Sequence, residues 1–231
     1  MGILMSQSQF QKVVEGTGGA VVMGAHILLP FLHGWRVRWG ATDEELARAW
    51  LGDELVPRPR GGFTHAITIR TPLSQVYPWM AQIGQNKGGF YSYEFLENLI
   101  GCNIHNADRL IPGCQEVKAG DTLWMHPKAG VPIELVEPGR GFVMHGALDT
   151  TTGAPVIPGE AMPASFVNVS WLFYLYDLGG GRTRFISRWR LDYPPGFKNE
   201  LMNGRWLLEP VASVMGIKMM KGLRQRAESA R

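Results

Sequence analysis

Seven polar side chains with complementary chemistry fall within 19 positions: Tyr91, Tyr93, Glu94, His105, Asn106, Asp108 and Arg109. Histidine exchanges protons near neutral pH, and a carboxylate beside it, Asp108 or Glu94, would fix its tautomer. Arg109 would then neutralise an enolate or a carboxylate, with Tyr91 and Tyr93 orienting oxygens. His105, Asp108 and Glu94 are therefore candidate catalytic residues, and Tyr91, Tyr93 and Arg109 candidate ligand-binding ones. The same residues also suit a plainer part, in which Asp108 and Arg109 brace a loop and His105 makes a single hydrogen bond.

Other chemistries have less behind them. His105, His126 and His145 match no metal-ligand spacing, so no metal is expected. Gly88-Gly89 lacks the lysine-serine ending of a phosphate loop and follows no strand. No serine or cysteine sits in a nucleophile elbow, and no cofactor is expected. Of the 231 residues, 45% are hydrophobic and 19% charged, enough apolar content for a substantial core. Lys+Arg 23 against Asp+Glu 20 gives a net charge of +3, too small a surplus to point to nucleic acid. Two cysteines, Cys102 and Cys114, are too few for a disulfide framework and suit a reduced, cytoplasmic setting.

The elements that must position these groups are legible in the periodicity. Residues 63–70 alternate as a first strand, and Thr71-Pro72 then opens a helix carrying Val76, Trp79, Met80 and Ile83, with a kink expected at Pro78. A second helix over 92–100 would turn Phe95, Leu96, Leu99 and Ile100 inward and stop at Gly101. Strands follow at 122–126, 133–137, 141–148, 166–178 and 182–193, the last two joined at Gly179-Gly180-Gly181. Period-2 faces put Val167, Val169, Trp171, Phe173 and Leu175 with Phe185, Ser187, Trp189 and Leu191, leaving Arg184, Arg188 and Arg190 on a face expected to be wet. A last helix over 199–228 should kink at Pro210 and cover the apolar face.

The beginning of the chain is apolar. From Gly16 to Trp35 there are 20 residues without a formal charge, the length a helix needs to cross a bilayer, with Gly16, Ala20 and Gly24 spaced as a small-residue stripe. Five glycines, Pro30, His26 and His33 weigh against crossing, and the alternative is a helix packed on the domain or on a second subunit. If the segment spans, Arg36 and Arg38 on its C-terminal flank would hold the main domain at the inner face of the membrane, and both readings leave that domain in the cytoplasm. Gly2 and Ser6 match a short myristoylation pattern that carries little weight. The expected division is 1–38 as an N-terminal apolar helix, 39–62 as a connector opened by the Thr42/Glu45 capping box, and 63–231 as the main domain.

Three runs are distinctive: Trp39-Gly-Ala-Thr-Asp-Glu-Glu45, Gly88-Gly-Phe-Tyr-Ser-Tyr-Glu-Phe-Leu-Glu-Asn98 and His105-Asn-Ala-Asp-Arg109. They resemble a group of bacterial proteins in the START-like (SRPBCC) superfamily, which also holds polyketide cyclases and lipid-transfer proteins, over roughly residues 36–228. The resemblance implies an α+β helix-grip fold of the START/Bet v 1 type, a curved antiparallel sheet wrapped on a long C-terminal helix around a hydrophobic cavity. Trp171, Phe173, Phe185, Ser187 and Trp189 would then line the sheet side of that cavity, closed by Met215 and Met219 among the methionines of the last helix.

The leading expectation is binding, with or without transfer, of a hydrophobic small molecule or lipid. A cyclase or dehydratase acting on a polyketide-like or aromatic substrate, with His105 as acid/base and no metal, is the alternative. A filled-core scaffold is the third, and self-association into a homo-oligomer is compatible with all three.

Overall fold

The computed structural model describes residues 7–157 and 159–229. The pattern at Gly2 and Ser6 lies outside the described residues. The main domain opens with β1 (Gly61–Ile69), α4 (Leu73–Ala81) and α5 (Glu94–Leu99), after three N-terminal helices, α1 (Gln7–Leu28), α2 (His33–Arg36) and α3 (Asp43–Ala47). Five strands follow: β2 (Thr122–His126), β3 (Ala129–Glu137), β4 (Gly141–Asp149), β5 (Phe166–Gly179) and β6 (Arg182–Asp192). α6 (Phe197–Asn203) and α7 (Leu208–Ser229) end the chain. The strands form one antiparallel sheet in the order β1-β6-β5-β4-β3-β2, so the first strand closes against the last. α7 crosses its concave face, packed on β1 and α4, and this is the α+β helix-grip arrangement.

The strand faces fall as the alternation dictates. Trp171 stands opposite Trp189, Phe173 opposite Ser187 and Leu175 opposite Phe185, all on the concave side. The arginine face, expected to meet water, is instead covered by residues 39–62. Arg184 binds Glu45 with Nε and Nη2 at 2.7 Å each, and Arg188 Nε donates to Asp53 at 2.8 Å. The Thr42/Glu45 capping box fixes α3, and Trp50 packs on Tyr174 with ring centroids 5.7 Å apart. The connector is thus a strap over the convex face, because a forked guanidinium finds a better partner in a positioned carboxylate than in bulk water.

Two helices depart from expectation. The last helix is broken in two, since the Pro210 ring would clash with the carbonyl four residues earlier; α7 therefore starts at Leu208 and keeps Pro210 in its first turn. α5 is rotated: Leu99 and Ile100 are exposed, whereas Glu94 and Glu97 are buried. The apolar residues expected inward do not all face in, and two carboxylates take that side.

No single described helix is long and apolar enough to cross a membrane; residues 8–28 and 30–36 pass that test only as a pair bent by 97°. α1 instead packs on α5 and α7. The close approach uses Gly16 against Phe95 and Gly19 against Tyr93, not the stripe Gly16, Ala20 and Gly24; Ala20 is exposed and nothing lies within 4 Å of a side chain built at Gly24. Lys12 Nζ to Glu94 Oε1 (2.6 Å) and the Lys218–Glu15 pair pin α1 in place.

The grip of α7 depends on glycine at one position and not at another six residues away. A Cβ at Gly222 would collide with the carbonyl oxygen of Tyr91, a residue already held at φ 55°, whereas one at Gly216 would make ordinary contacts at 3.6 and 3.8 Å. Gly222→Ala should therefore destabilise by about 1–3 kcal/mol. Gly216→Ala should stabilise by about 0.5–1 kcal/mol through helix propensity. Urea unfolding of the two variants checks the opposite signs.

Candidate functional site

The structure separates the expected site residues into two places. Tyr91, Glu94, Asn106 and Asp108 of the polar cluster line a cleft between α1, the segments before and after α5, and α7, where Glu94 is already paired. Glu94 accepts from Lys12 Nζ, from the backbone N–H of Asn106 at 3.1 Å, and lies 3.3 Å from His105 Nδ1. Burial works to raise the Glu94 pKa, but these three partners outweigh it and hold the carboxyl below its usual range. His105 meets Glu94 and not Asp108, and its side chain is 76% exposed. Asp108 borders the cleft, while Arg109 is exposed and offers only its carbonyl, to Gln82 Nε2 at 3.2 Å.

The rest of the cluster is structural in its contacts. Tyr91 OH accepts from Gln82 Nε2 at 2.9 Å and donates to the Trp79 carbonyl at 3.0 Å, and burial pushes its pKa far up. Tyr93 packs on α1 with Lys218 Nζ 5.6 Å from its ring centroid. Arg226 donates to the Ala107 carbonyl at 2.6 Å and stacks over the Tyr91 ring. Every cation in the cleft is thus already engaged. Since His105 is so exposed and touches no apolar wall, His105→Ala should leave apolar ligand affinity within about twofold of wild type, which a probe titration checks.

A second space lies between α5, the sheet and the N-terminal half of α7. Its volume is about 330 Å³, and its walls include Phe63, Phe90, Ile104, Met125, Trp171, Trp189, Ala212, Met215 and Met219. Trp171, Trp189, Met215 and Met219 are the expected lining residues that border it. Phe173, Phe185 and Ser187 do not: all three are fully buried in the adjoining core, which the α4 side chains Trp79 and Met80 fill. They support the wall from behind. Phe173 packs edge-on to Trp171 at 4.7 Å, and Ser187 Oγ accepts from Trp171 Nε1 at 2.9 Å, fixing the indole.

The rotation of α5 brings Glu97 into this apolar wall. It is 7% exposed, and its Oε2 has no hydrogen-bond partner among the described residues. Burial first, and the charge of Glu94 second, push its pKa up to about 7. Cys102, on the same wall, has its thiol pKa raised by burial and by Glu97. A carboxyl held near pH 7 in an apolar cavity can donate or accept a proton or hydrogen bond at little cost. The sequence does not single out Glu97, because the spacing of Phe95, Leu96, Leu99 and Ile100 points to the other side of the helix as the buried one. The signal that could have found it is the Glu94/Glu97 pair, three apart and so on one side of the helix.

One other buried ionisable group lies behind the cavity. His65 Nε2 is 2.7 Å from the Arg36 carbonyl, its ring stacks on Phe63 at 4.1 Å, and burial lowers its pKa to about 3. It is a neutral hydrogen-bond donor that backs the Phe63 wall. No cluster of three or more metal-ligating side chains occurs among the described residues.

The long helix grips a cavity. No family model and no curated protein matches the chain. Solved structures do resemble it. A protein from Mesorhizobium loti shares 14% identity over 73% of this chain and 98% of its own, at a TM-score of 0.37. A conserved protein from Geobacillus kaustophilus shares 12% identity over 72% and 95%, at 0.33. The Zhui aromatase/cyclase from Streptomyces sp. R1128 shares 13% identity over 72% and 93%, at 0.32. Likeness at these values carries nothing about ligand or reaction, so the functional reading rests on the cavity itself.

Proposed function

We propose that this chain binds an apolar small molecule or lipid chain in the cavity between α5, the sheet and α7. The observation that carries the reading is the wall of Phe63, Trp171, Trp189, Met215 and Met219 around about 330 Å³. Each buried methylene contributes about 0.8 kcal/mol, so a decyl chain gains about 8 kcal/mol before the cost of association. Ala212 borders the space, and Ala212→Trp would fill it. Wild-type protein should bind a naphthalene-based fluorescent probe, and Ala212→Trp should weaken that binding at least about tenfold while unfolding at a similar urea concentration. Equal binding by the two would place the probe elsewhere and end the reading.

A second reading, cyclase or dehydratase chemistry on a polyketide-like or aromatic substrate, is favoured by one observation: a carboxyl, Glu97, stands in the otherwise apolar cavity wall, where burial pushes its pKa up to about 7. The acid/base would then be Glu97 in place of His105. Turnover of such a substrate should be lost in Glu97→Gln and retained in His105→Ala.

The outer side of the N-terminal segment suits a membrane interface, since Val21, Val22, Leu28, Phe31 and Trp35 are exposed. Co-sedimentation with lipid vesicles should fall when Phe31 and Trp35 are both changed to Ser.

A further inference from the structure

We propose that the ligand of this cavity carries a protonated amine, seated against the Glu97 carboxylate between the rings of Trp171, Trp189 and Phe63. The inference rests on the apolar-cavity reading and adds the chemistry of the ligand's polar end.

The argument begins with hydrogen-bond supply. Glu97 Oε2 is a buried acceptor with no partner among the described residues, and a buried polar atom left so is costly. Two donors on the same wall are already used: Ser92 Oγ donates to the Met215 carbonyl at 3.2 Å, and Cys102 Sγ to the Met125 carbonyl at 3.6 Å. A ligand that brings a donor to this carboxylate would supply what Ser92 and Cys102 do not.

Charge narrows the choice. Among the described residues, no lysine, arginine or histidine lines the cavity. The nearby cations are committed elsewhere, Lys12 to Glu94 and Lys218 to Glu15. Glu94, one turn before Glu97, takes up Lys12 and so leaves that cation unable to pair with Glu97. An anionic head group would meet like charge with no counter-ion, whereas an ammonium would complete an ion pair. The aromatic walls favour the same ligand, because indole and phenyl faces attract cations most strongly away from water. Phe63 and Trp189 stack at 5.5 Å, presenting two such rings together.

Binding an ammonium favours the ionised carboxylate, so affinity should fall as pH drops below about 7, where Glu97 takes up its proton. The titratable groups around Glu97 are Glu94 on the same helix, Cys102 in the following segment, and His126 on β2 beside Gly101; α1 and α7 present Lys12 and Lys218 in the pairs just named.

The test compares decylamine, decanol and decanoate as competitors of the naphthalene probe at pH 7.5, on the full chain. Decylamine should bind at least about tenfold more tightly than decanol, with decanoate weakest. In Glu97→Gln, which keeps shape and volume, the amine advantage should shrink to about twofold or less. Equal binding of all three compounds to wild type, or tighter binding of decanoate, would overturn the amine inference and leave the cavity intact. An amine advantage that survives Glu97→Gln would also overturn it. Failure of all three to displace the probe would overturn the cavity reading and this inference with it.

Discussion

Replacing Arg36 with alanine should cost about 3–5 kcal/mol, the largest single-site effect expected in this molecule. The Arg36 side chain is 1% exposed and donates to three acceptors: the carbonyls of His26 at 2.9 Å and Arg205 at 3.1 Å, and Glu209 Oε1 at 2.9 Å. Removing it leaves the buried Glu209 carboxylate with His33 Nδ1, 3.0 Å from Oε1, and the Gly62 N–H, 3.5 Å from Oε2, and without its arginine. The loss also reaches the cavity. Arg36 ties the N-terminal segment to the α6–α7 corner, and Leu208 and Val211, on either side of Glu209 and Pro210, border the binding space. Urea unfolding at pH 7.5 should show the destabilisation, and probe affinity should drop in parallel. Adding Glu209→Gln to Arg36→Met should recover part of the stability, because the unpaired charge is then gone. A loss under about 1 kcal/mol in Arg36→Ala would mean that the clamp is not formed.

Glu97→Gln should have the opposite sign, stabilising the protein by about 3 kcal/mol at pH 8. The folded-state pKa of about 7 stands above the ordinary value of 4.5. Below pH 4.5 both folded and unfolded chains hold the proton, and the residue makes no pH-dependent contribution. As pH rises from 4.5 to about 7 the unfolded chain releases it first, so stability declines, and above about 7 the decline is complete. Glutamine has no proton to lose, so the variant should lack this decline. Glu94 acts in the other direction: its depressed pKa gives stability that is lost as pH falls below 4.5, in both proteins. Stability curves from pH 4 to 8 that run parallel for wild type and Glu97→Gln would contradict the burial assigned to this carboxyl. A residue that lowers stability this much is a common mark of a functional site.

Much of the framework could be read from the chain because it is local. The β5/β6 hairpin declares itself by alternation and three turn glycines, and the Thr42/Glu45 box marks α3 by side chains that cap a backbone three residues away. What could not be read was tertiary choice. Arg184 and Arg188 look solvent-facing from period alone, and only the arrival of Glu45 and Asp53 from over 130 positions away covers them. α5 is the instructive case. Its six residues carry both an apolar and an acidic side, and propensity does not say which turns inward. The answer is set by α1, whose Gly16 and Gly19 accept Phe95 and Tyr93, leaving the opposite side of α5 with its carboxylate to face the cavity. The polar cluster is legible in its residue types, yet its best-buried charge, Glu94, is taken up by Lys12 and the Asn106 N–H, and Arg109 points its side chain to solvent. The group poised for chemistry is the one whose neighbours in sequence gave it no partner.

The central claim, that the space beside Trp171 and Trp189 is a ligand cavity, is tested most directly by methyl NMR of methionine-labelled protein during titration with decylamine. Met125, Met215 and Met219 border the cavity, whereas Met80 and Met144 are fully buried elsewhere in the core. The methyl resonances of Met125, Met215 and Met219 should shift with a single saturating curve while those of Met80 and Met144 stay in place. Shifts confined to Met80 or Met144, or no shift at any methionine at ligand concentrations that displace the probe, would contradict the account.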